Sequence, residues 1–275
     1  MHGAPFDHPP SRRLWLFSGT GDGPPLAQAL LAQGWELRVS VVTPSAARVY
    51  PAAPQLELRV GPLGGADRLQ AALAAAQGAG RPFRAVIDAT HPFAMRVHGE
   101  LQAGCAQAGV PLLVLQRGET AIPPPAPALQ PTWLDTLEAL AQLELGGERL
   151  LLAIGARHLA RAVSLCPGAV PHARVLPRPG ALQQALAAGV PPEHVACLLP
   201  GAGPGAGAVE AALVRQWGIT VILARQSGPP SETLWRRVAA AEGCRLLLLR
   251  QPNSRQQVQG HSRAQLLALL AAWGR

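Results

Sequence analysis

The sequence contains no lysine, and all 24 of its basic residues are arginine. A Walker-type phosphate loop, a Schiff-base lysine and the Tyr-Lys pair of short-chain dehydrogenases each depend on a lysine, so these kinds of site are excluded. No apolar run approaches the roughly 20 residues that span a bilayer, and the N-terminus lacks the layout of a signal peptide. We therefore expect a cytoplasmic protein with no membrane partner.

Cysteines and metal-binding patterns are also sparse. The four cysteines stand far apart in the chain, at Cys105, Cys166, Cys197 and Cys244. This spacing indicates neither a CxxC metal site nor a disulfide framework. His91 and His98 would share a face of an early-starting helix, but no third ligand or HExxH pattern accompanies them. The sequence predicts no metal site.

Aromatic residues make up only 4% of the chain, whereas hydrophobic residues make up 48% and the net charge is +8. A positive charge favours anionic partners. The arginines are scattered, stacking residues are few and no nucleic-acid-binding motif is present, so we expect no nucleic acid partner. An acidic small molecule fits better, since arginine pairs with carboxylates through two hydrogen bonds. For most of the 24 arginines, the simpler interpretation is a solvated surface position.

Predicted strands and helices alternate along the whole chain. Strands are expected at residues 14–17, 36–42, 55–60, 85–88, 110–116, 149–154, 170–176, 195–199, 219–224 and 246–249. Helices are expected at residues 24–33, 67–77, 94–108, 137–145, 208–217 and 231–242. This alternation predicts an α/β fold with two Rossmann-like domains, parallel sheets and an active-site cleft between them.

The proline-rich stretch at residues 118–131 indicates the boundary between these domains. We predict an N-terminal tail at 1–13, a Rossmann-like NADP-binding domain at 14–122 and a second Rossmann-like domain at 123–252. A helical extension at 253–275 follows, in which Ser262 and Gln265 form a capping box. The assembly is expected to be a monomer or a small homo-oligomer.

A glycine-rich loop follows the first predicted strand, with the sequence Gly19-Thr20-Gly21-Asp22-Gly23. Backbone amides and a helix N-terminus in this context hold phosphate groups, although a tight structural turn remains the alternative. About twenty residues further on, where an NAD enzyme carries an acidic residue, this chain has Thr43, Ser45 and Arg48. The missing acid favours NADP, while Arg48 equally fits a surface position.

Polar residues also cluster where the strand at 85–88 ends, at Asp88, Thr90 and His91, just before Pro92. Ligands of open parallel sheets bind beyond the carboxyl ends of the strands, so this cluster is a candidate site. The alternative is a turn in which Asp88 or Thr90 caps the next helix and His91 is merely exposed.

Three further strand ends of the second half carry candidate residues. Gly203 and Pro204 lie in a second glycine-rich loop, which either brings amides to an acidic ligand or is a flexible connector. Arg225, Ser227 and Gly228 follow the strand at 219–224. Gly155, Arg157 and His158 follow the strand at 149–154, with a surface helix as the alternative for His158.

Three of these motifs together resemble the precorrin-6A reductase family of cobalamin biosynthesis. They are DATHPFA at 88–94, SGTGDG at 18–23 and RQSG at 225–228, and the likeness runs from about residue 14 to 252. It implies NADPH-dependent reduction of a double bond in precorrin-6A, or in its cobalt form, to the dihydro product. Two departures are Gly205, where the family has an aromatic residue, and Arg225, where it typically has lysine.

The resemblance also implies roles for the candidate residues. The cofactor would be held by Gly19, Thr20, Gly21, Asp22, Gly23, Thr43, Ser45, Arg48 and Thr90. The tetrapyrrole, with its acetate and propionate groups, would be held by His91, Pro92, Gly203, Pro204, Arg225, Ser227 and Gly228. His91 and Asp88 would be catalytic, His91 by delivering or orienting a proton, although bulk water could serve instead. Two rival functions are a non-catalytic nucleotide- or tetrapyrrole-binding protein and a nucleotide-sugar-binding transferase.

Overall fold

The computed structural model describes residues 11–19, 21–117, 130–199, 205–252 and 260–274. The chain divides into two compact units. The first unit comprises Met1–Arg117 together with Asn253–Arg275, and the second comprises Gly118–Pro252. Residues 1–10 of the predicted tail, and the predicted boundary at 122/123, lie outside the described residues.

The first unit is built on a six-stranded sheet in which every neighbouring pair is parallel. With strands numbered along the chain, they are β1 (Arg13–Ser18), β2 (Glu36–Val41), β3 (Leu56–Val60), β4 (Ala85–Ala89), β5 (Leu112–Leu115) and β12 (Gly260–His261). Their order in the sheet is β12-β5-β4-β1-β2-β3. The first strand is buried at all six positions because helices cover both of its faces.

Helices pack on both faces of this sheet. They are α1 (Gly23–Ala32), α2 (Pro44–Ala47), α3 (Ala66–Gly78), α4 (Met95–Ala108) and α9 (Arg263–Trp273). Leu26 of α1 and Leu270 of α9 belong to one hydrophobic cluster, whereas Leu69 of α3 and Leu101 of α4 belong to the other. All four of these leucines are fully buried.

The order of strands reverses between β1 and β4, which are neighbours in the sheet. From β1 the chain proceeds through β2 to β3 at one edge, and from β4 it proceeds to β5 on the other side. Such a reversal opens a crevice at the carboxyl ends of the two central strands. The loops that follow β1 and β4 therefore meet at the position where this fold binds ligands.

The second unit repeats this plan with another parallel, six-stranded sheet. Its strands are β6 (Thr132–Leu134), β7 (Arg149–Leu152), β8 (Val170–Val175), β9 (Val195–Cys197), β10 (Val221–Arg225) and β11 (Arg245–Leu249), in the order β6-β11-β10-β7-β8-β9. Its helices are α5 (Leu159–Leu165), α6 (Pro179–Ala187), α7 (Ala208–Trp217) and α8 (Ser231–Glu242). Here the reversal lies between β7 and β10, so the loops after these strands meet.

The predicted α/β fold with two Rossmann-like domains is confirmed, but several short elements differ from the prediction. The helix expected at 137–145 is a 3-10 helix at Leu137–Gln142. The strands β6 and β12 and the helices α2, α5 and α6 were not expected. These elements are short, so their periodicity is weak, and sheet pairing decides their conformation. None of the helices within the described ranges is long and apolar enough to cross a membrane.

The C-terminal segment is part of the first unit instead of forming a separate extension, which corrects the predicted domain division. The strand β12 pairs with β5, and α9 packs against the first unit's sheet through Leu266 and Leu270. The predicted capping box is present, because the side chains of Ser262 and Gln265 each accept from the other's backbone N–H.

Candidate active site

The three glycines after β1 occupy different surroundings, and Thr20 between them lies outside the described residues. A Cβ atom added to Gly19 would lie 3.8 Å from the backbone nitrogen of His91, so the loops after β1 and β4 are in contact. A Cβ on Gly21 would meet no atom within 4 Å among the residues that the structure describes. A Cβ on Gly23 would overlap Ser18 Oγ and Tyr50 Oη, so both of these side chains would have to move. Packing therefore requires Gly23, whereas Gly21 borders open space where a ligand can approach the backbone.

The N-terminus of α1 offers fewer donors than the usual phosphate-binding helix. Pro24 and Pro25 occupy its first positions and have no N–H groups. Asp22 at the N-cap makes no capping bond, and its Oδ2 instead accepts from Nε of Arg117 at 2.6 Å. The guanidinium of Arg117 therefore neutralises a carboxylate that would repel a phosphate.

Arg117 is a site residue that the sequence analysis missed. It lies two positions beyond the end of β5, the strand next to β4. Its side chain is 11% exposed. The signal that could have found it is its place just after a predicted strand, because strand ends collect ligand-binding residues in this fold.

The loop after β4 is organised by Asp88, whose carboxylate is fully buried. Oδ1 accepts from the backbone N–H of Thr90 at 2.9 Å and from its hydroxyl at 2.6 Å. Oδ2 lies 2.7 Å from Nδ1 of His98, which is itself buried in α4. Asp88, expected from the resemblance to be catalytic, holds the loop through these hydrogen bonds, and its catalytic role stays a prediction.

His91 is half-buried, and its ring centroid lies 5.9 Å from that of Phe93. Its Nδ1 accepts a hydrogen bond from the backbone N–H of Phe93 at 3.2 Å. An imidazole nitrogen that accepts carries no proton, so the neutral ring holds its proton on Nε2. Pro92, which lies between His91 and Phe93 in the sequence, is buried. The arrangement leaves His91 able to act as a donor through Nε2.

The residues expected to select NADP follow β2. Thr43 Oγ1 caps α2 by accepting from the backbone N–H of Ala46 at 3.3 Å, and it lies 3.0 Å from Ser45 Oγ. Ser45 and Arg48 are both exposed. Because the Thr43 hydroxyl already caps a helix, Ser45 and Arg48 are the better placed of the three to contact a phosphate.

In the second unit, the loops after β7 and β10 bring positive charge together. A Cβ added to Gly155 would lie 3.3 Å from Nη2 of Arg225, so the two loops touch. Burial, and then the nearby Arg157, lower the pKa of Arg225 to about 10, which leaves it a cation at neutral pH. Burial, followed by Arg225 and Arg157, also lowers the pKa of His158. Two guanidinium groups and a neutral imidazole form a site suited to carboxylates.

The remaining predicted substrate residues lie in or near the loop after β10. Ser227 is 4% exposed. Gly228 has φ +67°, and its N–H donates to Oε2 of the buried Glu232 at 3.1 Å. Glu232 is also paired with Arg236 at 2.8 Å, so a charged pair in α8 anchors the loop. The predicted residues Gly203 and Pro204 lie outside the described residues.

The two sites contain groups for binding anions and for donating a proton. Among the residues that the structure describes, no group of three or more His, Cys, Asp or Glu side chains could hold a metal ion. The first unit presents a glycine loop, Arg117 and His91 at one reversal point. The second presents Arg225, Arg157 and His158 at the other.

Comparison with known proteins gives concordant matches. The family model described as precorrin-6x reductase CbiJ/CobK matches residues 13–271. Cobalt-precorrin-6A reductase of Synechocystis sp. is 32% identical over 88% of this chain and 89% of its own. Precorrin-6A reductase of Rhodococcus erythropolis is 31% identical over 87% and 89%. The solved structure of CobK precorrin-6A reductase covers 95% of this chain and 97% of its own, with a TM-score of 0.71 and 26% identity.

Proposed function

The chain belongs to the precorrin-6x reductase family, and from this premise we propose that it uses NADPH to reduce a double bond of precorrin-6A or cobalt-precorrin-6A. The product is the dihydro macrocycle, an intermediate of cobalamin biosynthesis. The observation that carries the proposal is the contact between the glycine loop and the His91 loop at the β1/β4 reversal.

A dinucleotide fits the groups present in the first unit. The open space at Gly21 admits a diphosphate to the backbone. The missing N–H groups of Pro24 and Pro25 reduce what the helix can offer, and Arg117 offsets the negative charge of Asp22 in the same loop. We assign the diphosphate to Gly19–Gly23 with Arg117, and the nicotinamide to the loop from Thr90 to His91.

The preference for NADPH rests on the residues after β2. The exposed Arg48 and Ser45 can bind a 2′-phosphate, and no acidic residue stands at the position that binds the ribose of NADH. NADPH should therefore bind more tightly than NADH.

The substrate is bound, in this proposal, through its carboxylates. Arg225 remains charged despite its burial, and Arg157 adds a second cation. Each guanidinium can take one carboxylate through paired hydrogen bonds. A tetrapyrrole with several acetate and propionate groups matches this charge.

The chain's own residues then have two tasks, to hold two large anions and to provide a proton. When bound, the reduced nicotinamide supplies the hydride. The neutral His91 can orient the macrocycle or a water molecule by donating a hydrogen bond from Nε2. The proton itself comes from water, or from the doubly protonated ring, in which Nδ1 no longer accepts from Phe93. Asp88 keeps the His91 loop in place through Thr90.

The test is NADPH oxidation by the purified protein with precorrin-6A and, separately, its cobalt form. We expect loss of the nicotinamide absorbance together with a product heavier by two hydrogens. NADPH binding without reduction of either substrate would favour a non-catalytic binding protein. Binding of a sugar nucleotide instead of NADPH would favour a transferase.

A matched variant separates the substrate site from the cofactor site. Arg225→Gln should raise the KM for the tetrapyrrole at least about tenfold, as expected for losing a charged hydrogen-bonded pair. The Kd of NADPH should stay unchanged, because Arg225 belongs to the second unit. The control is Arg245→Gln. Arg245 is exposed and lies at the start of β11, whereas Arg225 pairs with the end of that strand, so the control removes one positive charge away from the loops after β7 and β10. Equal KM values in both variants would contradict the assignment.

A further inference from the structure

The pair formed by Asp88 and His98 has no part in the chemistry described above. Asp88 is 0% exposed and His98 is 2% exposed, and their Oδ2 and Nδ1 atoms lie 2.7 Å apart. Asp88 is the last but one residue of β4 and His98 lies in the first turn of α4, so the pair ties the strand to the helix that follows it. A buried carboxylate requires hydrogen-bond donors, because removing it from water without them is costly.

The protonation of His98 follows from its surroundings. Its Nε2 is buried and has no hydrogen-bond partner among the described residues. An N–H group at that position would be left unsatisfied, so the proton belongs on Nδ1, from which it is donated to Asp88. His98 is therefore a fixed donor, and Asp88 accepts from His98 Nδ1, from the Thr90 amide and from the Thr90 hydroxyl.

Hydrogen bonds connect this pair to Thr90, the residue that precedes His91. Asp88 fixes Thr90 through both its backbone and its side chain. The next residue, His91, accepts from the backbone N–H of Phe93 at Nδ1 and from that of Ala94 at its carbonyl oxygen, the latter at 2.7 Å. The backbone of Thr90 and His91 lies against Gly19, within 4.0 Å of where its Cβ would be. The orientation of the Asp88 carboxylate thus determines how the loop meets the glycine loop.

We propose that His98 is a positioning residue for dinucleotide binding, acting through Asp88 on the loop from Thr90 to Phe93. The identity of the dinucleotide rests on the proposed function, whereas the effect on the loop does not. Without the Nδ1 donor, Oδ2 of a fully buried carboxylate loses its hydrogen bond from His98. The carboxylate then turns to find another donor, and the hold on Thr90 is lost.

Two substitutions at the same position separate the hydrogen bond from packing. His98→Leu removes the donor and fills the space, whereas His98→Asn places an amide N–H close to the position of Nδ1. The control is Leu101→Ala, which creates a cavity in the same buried face of α4 without touching Asp88. Should His98→Leu fail to fold, His98→Met replaces it as a flexible side chain without a donor.

The first measurement is amide hydrogen exchange across residues 89–94 in the ligand-free protein. Exchange should be at least about tenfold faster in His98→Leu than in the wild type, since its loop has lost a hydrogen bond to a charged group. His98→Asn should restore slow exchange. Leu101→Ala should lower the unfolding temperature without selectively exposing these amides.

The second measurement is NADPH affinity, followed by the quenching of protein fluorescence, together with steady-state kinetics. His98→Leu should raise the Kd and KM of NADPH at least about tenfold, whereas the KM of the tetrapyrrole stays unchanged. In His98→Asn, the Kd and the KM of NADPH should both lie near the wild-type values.

Unchanged exchange at residues 89–94 in His98→Leu would overturn the inference, whatever the cofactor. Faster exchange with an unchanged NADPH Kd would overturn the link to dinucleotide binding alone. A loss in His98→Asn as large as in His98→Leu would show that ring packing, not the donor, matters. A wild type that binds neither NADPH nor NADH would overturn the proposed function, while the exchange results would still decide the role of His98 in the loop.

Discussion

Gly21 and Gly23 lie two positions apart in one loop, yet the reason for having glycine differs between the two positions. Gly23 has no room for any side chain because Ser18 Oγ and Tyr50 Oη lie within 2.3 Å of where its Cβ would be. Gly21 has room for one, so a larger residue there should affect a ligand before it affects the fold. At the scale of single residues, sequence motifs identify both glycines, and only the packing distinguishes them.

Gly21→Asp should weaken NADPH binding at least about tenfold, since it places a carboxylate against the diphosphate. Its unfolding temperature should match that of Gly21→Ala, because a Cβ at this position meets no atom within 4 Å in the described part of the chain. Isothermal titration with NADPH, alongside thermal unfolding, measures both effects. An unchanged Kd would place the diphosphate away from this loop.

His91→Ala should slow the reduction more than it weakens binding of either ligand. The reason is that His91 can orient the macrocycle or a water molecule through Nε2, whereas the loop itself is held by Asp88 and Thr90. Steady-state kinetics with both substrates gives the kcat and KM values that decide this. A wild-type kcat would make water the proton donor and leave His91 a structural residue.

At the scale of elements, the C-terminal segment shows how a distant part of the chain completes a unit. The helix α9 contributes Leu266 and Leu270, both fully buried, to the same cluster as Leu26 of α1. The strand β12 pairs with β5 at the sheet edge. The sequence predicts the helix from its capping box, but the two-residue strand has no signal of its own, because only the presence of β5 stabilises it.

Leu270→Ala should lower the free energy of unfolding of the first unit by about 2–5 kcal/mol, the usual range for a buried leucine. The control is Arg263→Ala in the same helix. Arg263 is exposed, so this substitution should change the free energy of unfolding by less than about 0.5 kcal/mol. Urea unfolding of both variants with and without NADPH measures the difference. Equal stabilities would mean that α9 is not needed by the first unit.

At the scale of the whole molecule, stability should depend on pH through a buried histidine in the second unit. His172 is fully buried in β8, its ring stacks on His194 at 3.9 Å, and its Nδ1 donates to the carbonyl of Val170. Burial is the main cause that lowers its pKa from 6.5 to about 4. The unfolded chain therefore binds a proton below pH 6.5 that the folded protein accepts only near pH 4.

Stability should accordingly be retained above pH 6.5 and fall as the pH is lowered from 6.5 to about 4, by up to about 3 kcal/mol. His172→Phe, which keeps an aromatic ring against His194 and Trp217, should flatten this dependence. Chemical unfolding of both proteins at pH 7, 6 and 5 provides the comparison. An equal slope in both would assign the pH dependence to other groups.

The sequence by itself determined the fold class, the family and the positions of the main strands along the chain. These follow from local patterns, since a buried parallel strand is an apolar run and each strand end carries its polar motif. The positions of Gly19–Gly23, Asp88–Pro92 and Arg225–Gly228 at strand ends were therefore open to prediction. Their roles in binding and catalysis stay predictions.

Only the tertiary structure decided which of these residues are buried and which side chains meet. Asp88 and His98 are ten positions apart, and they meet because α4 packs against β4, the strand that precedes it. Asp22 and Arg117 are 95 apart, and they meet because the strand order places β5 close to β1. No local pattern encodes such a contact, because it depends on which strands become neighbours. Strand order also makes Arg117 part of the glycine loop's site. The structure shows that Asp88 is buried, whereas its catalytic role stays a prediction.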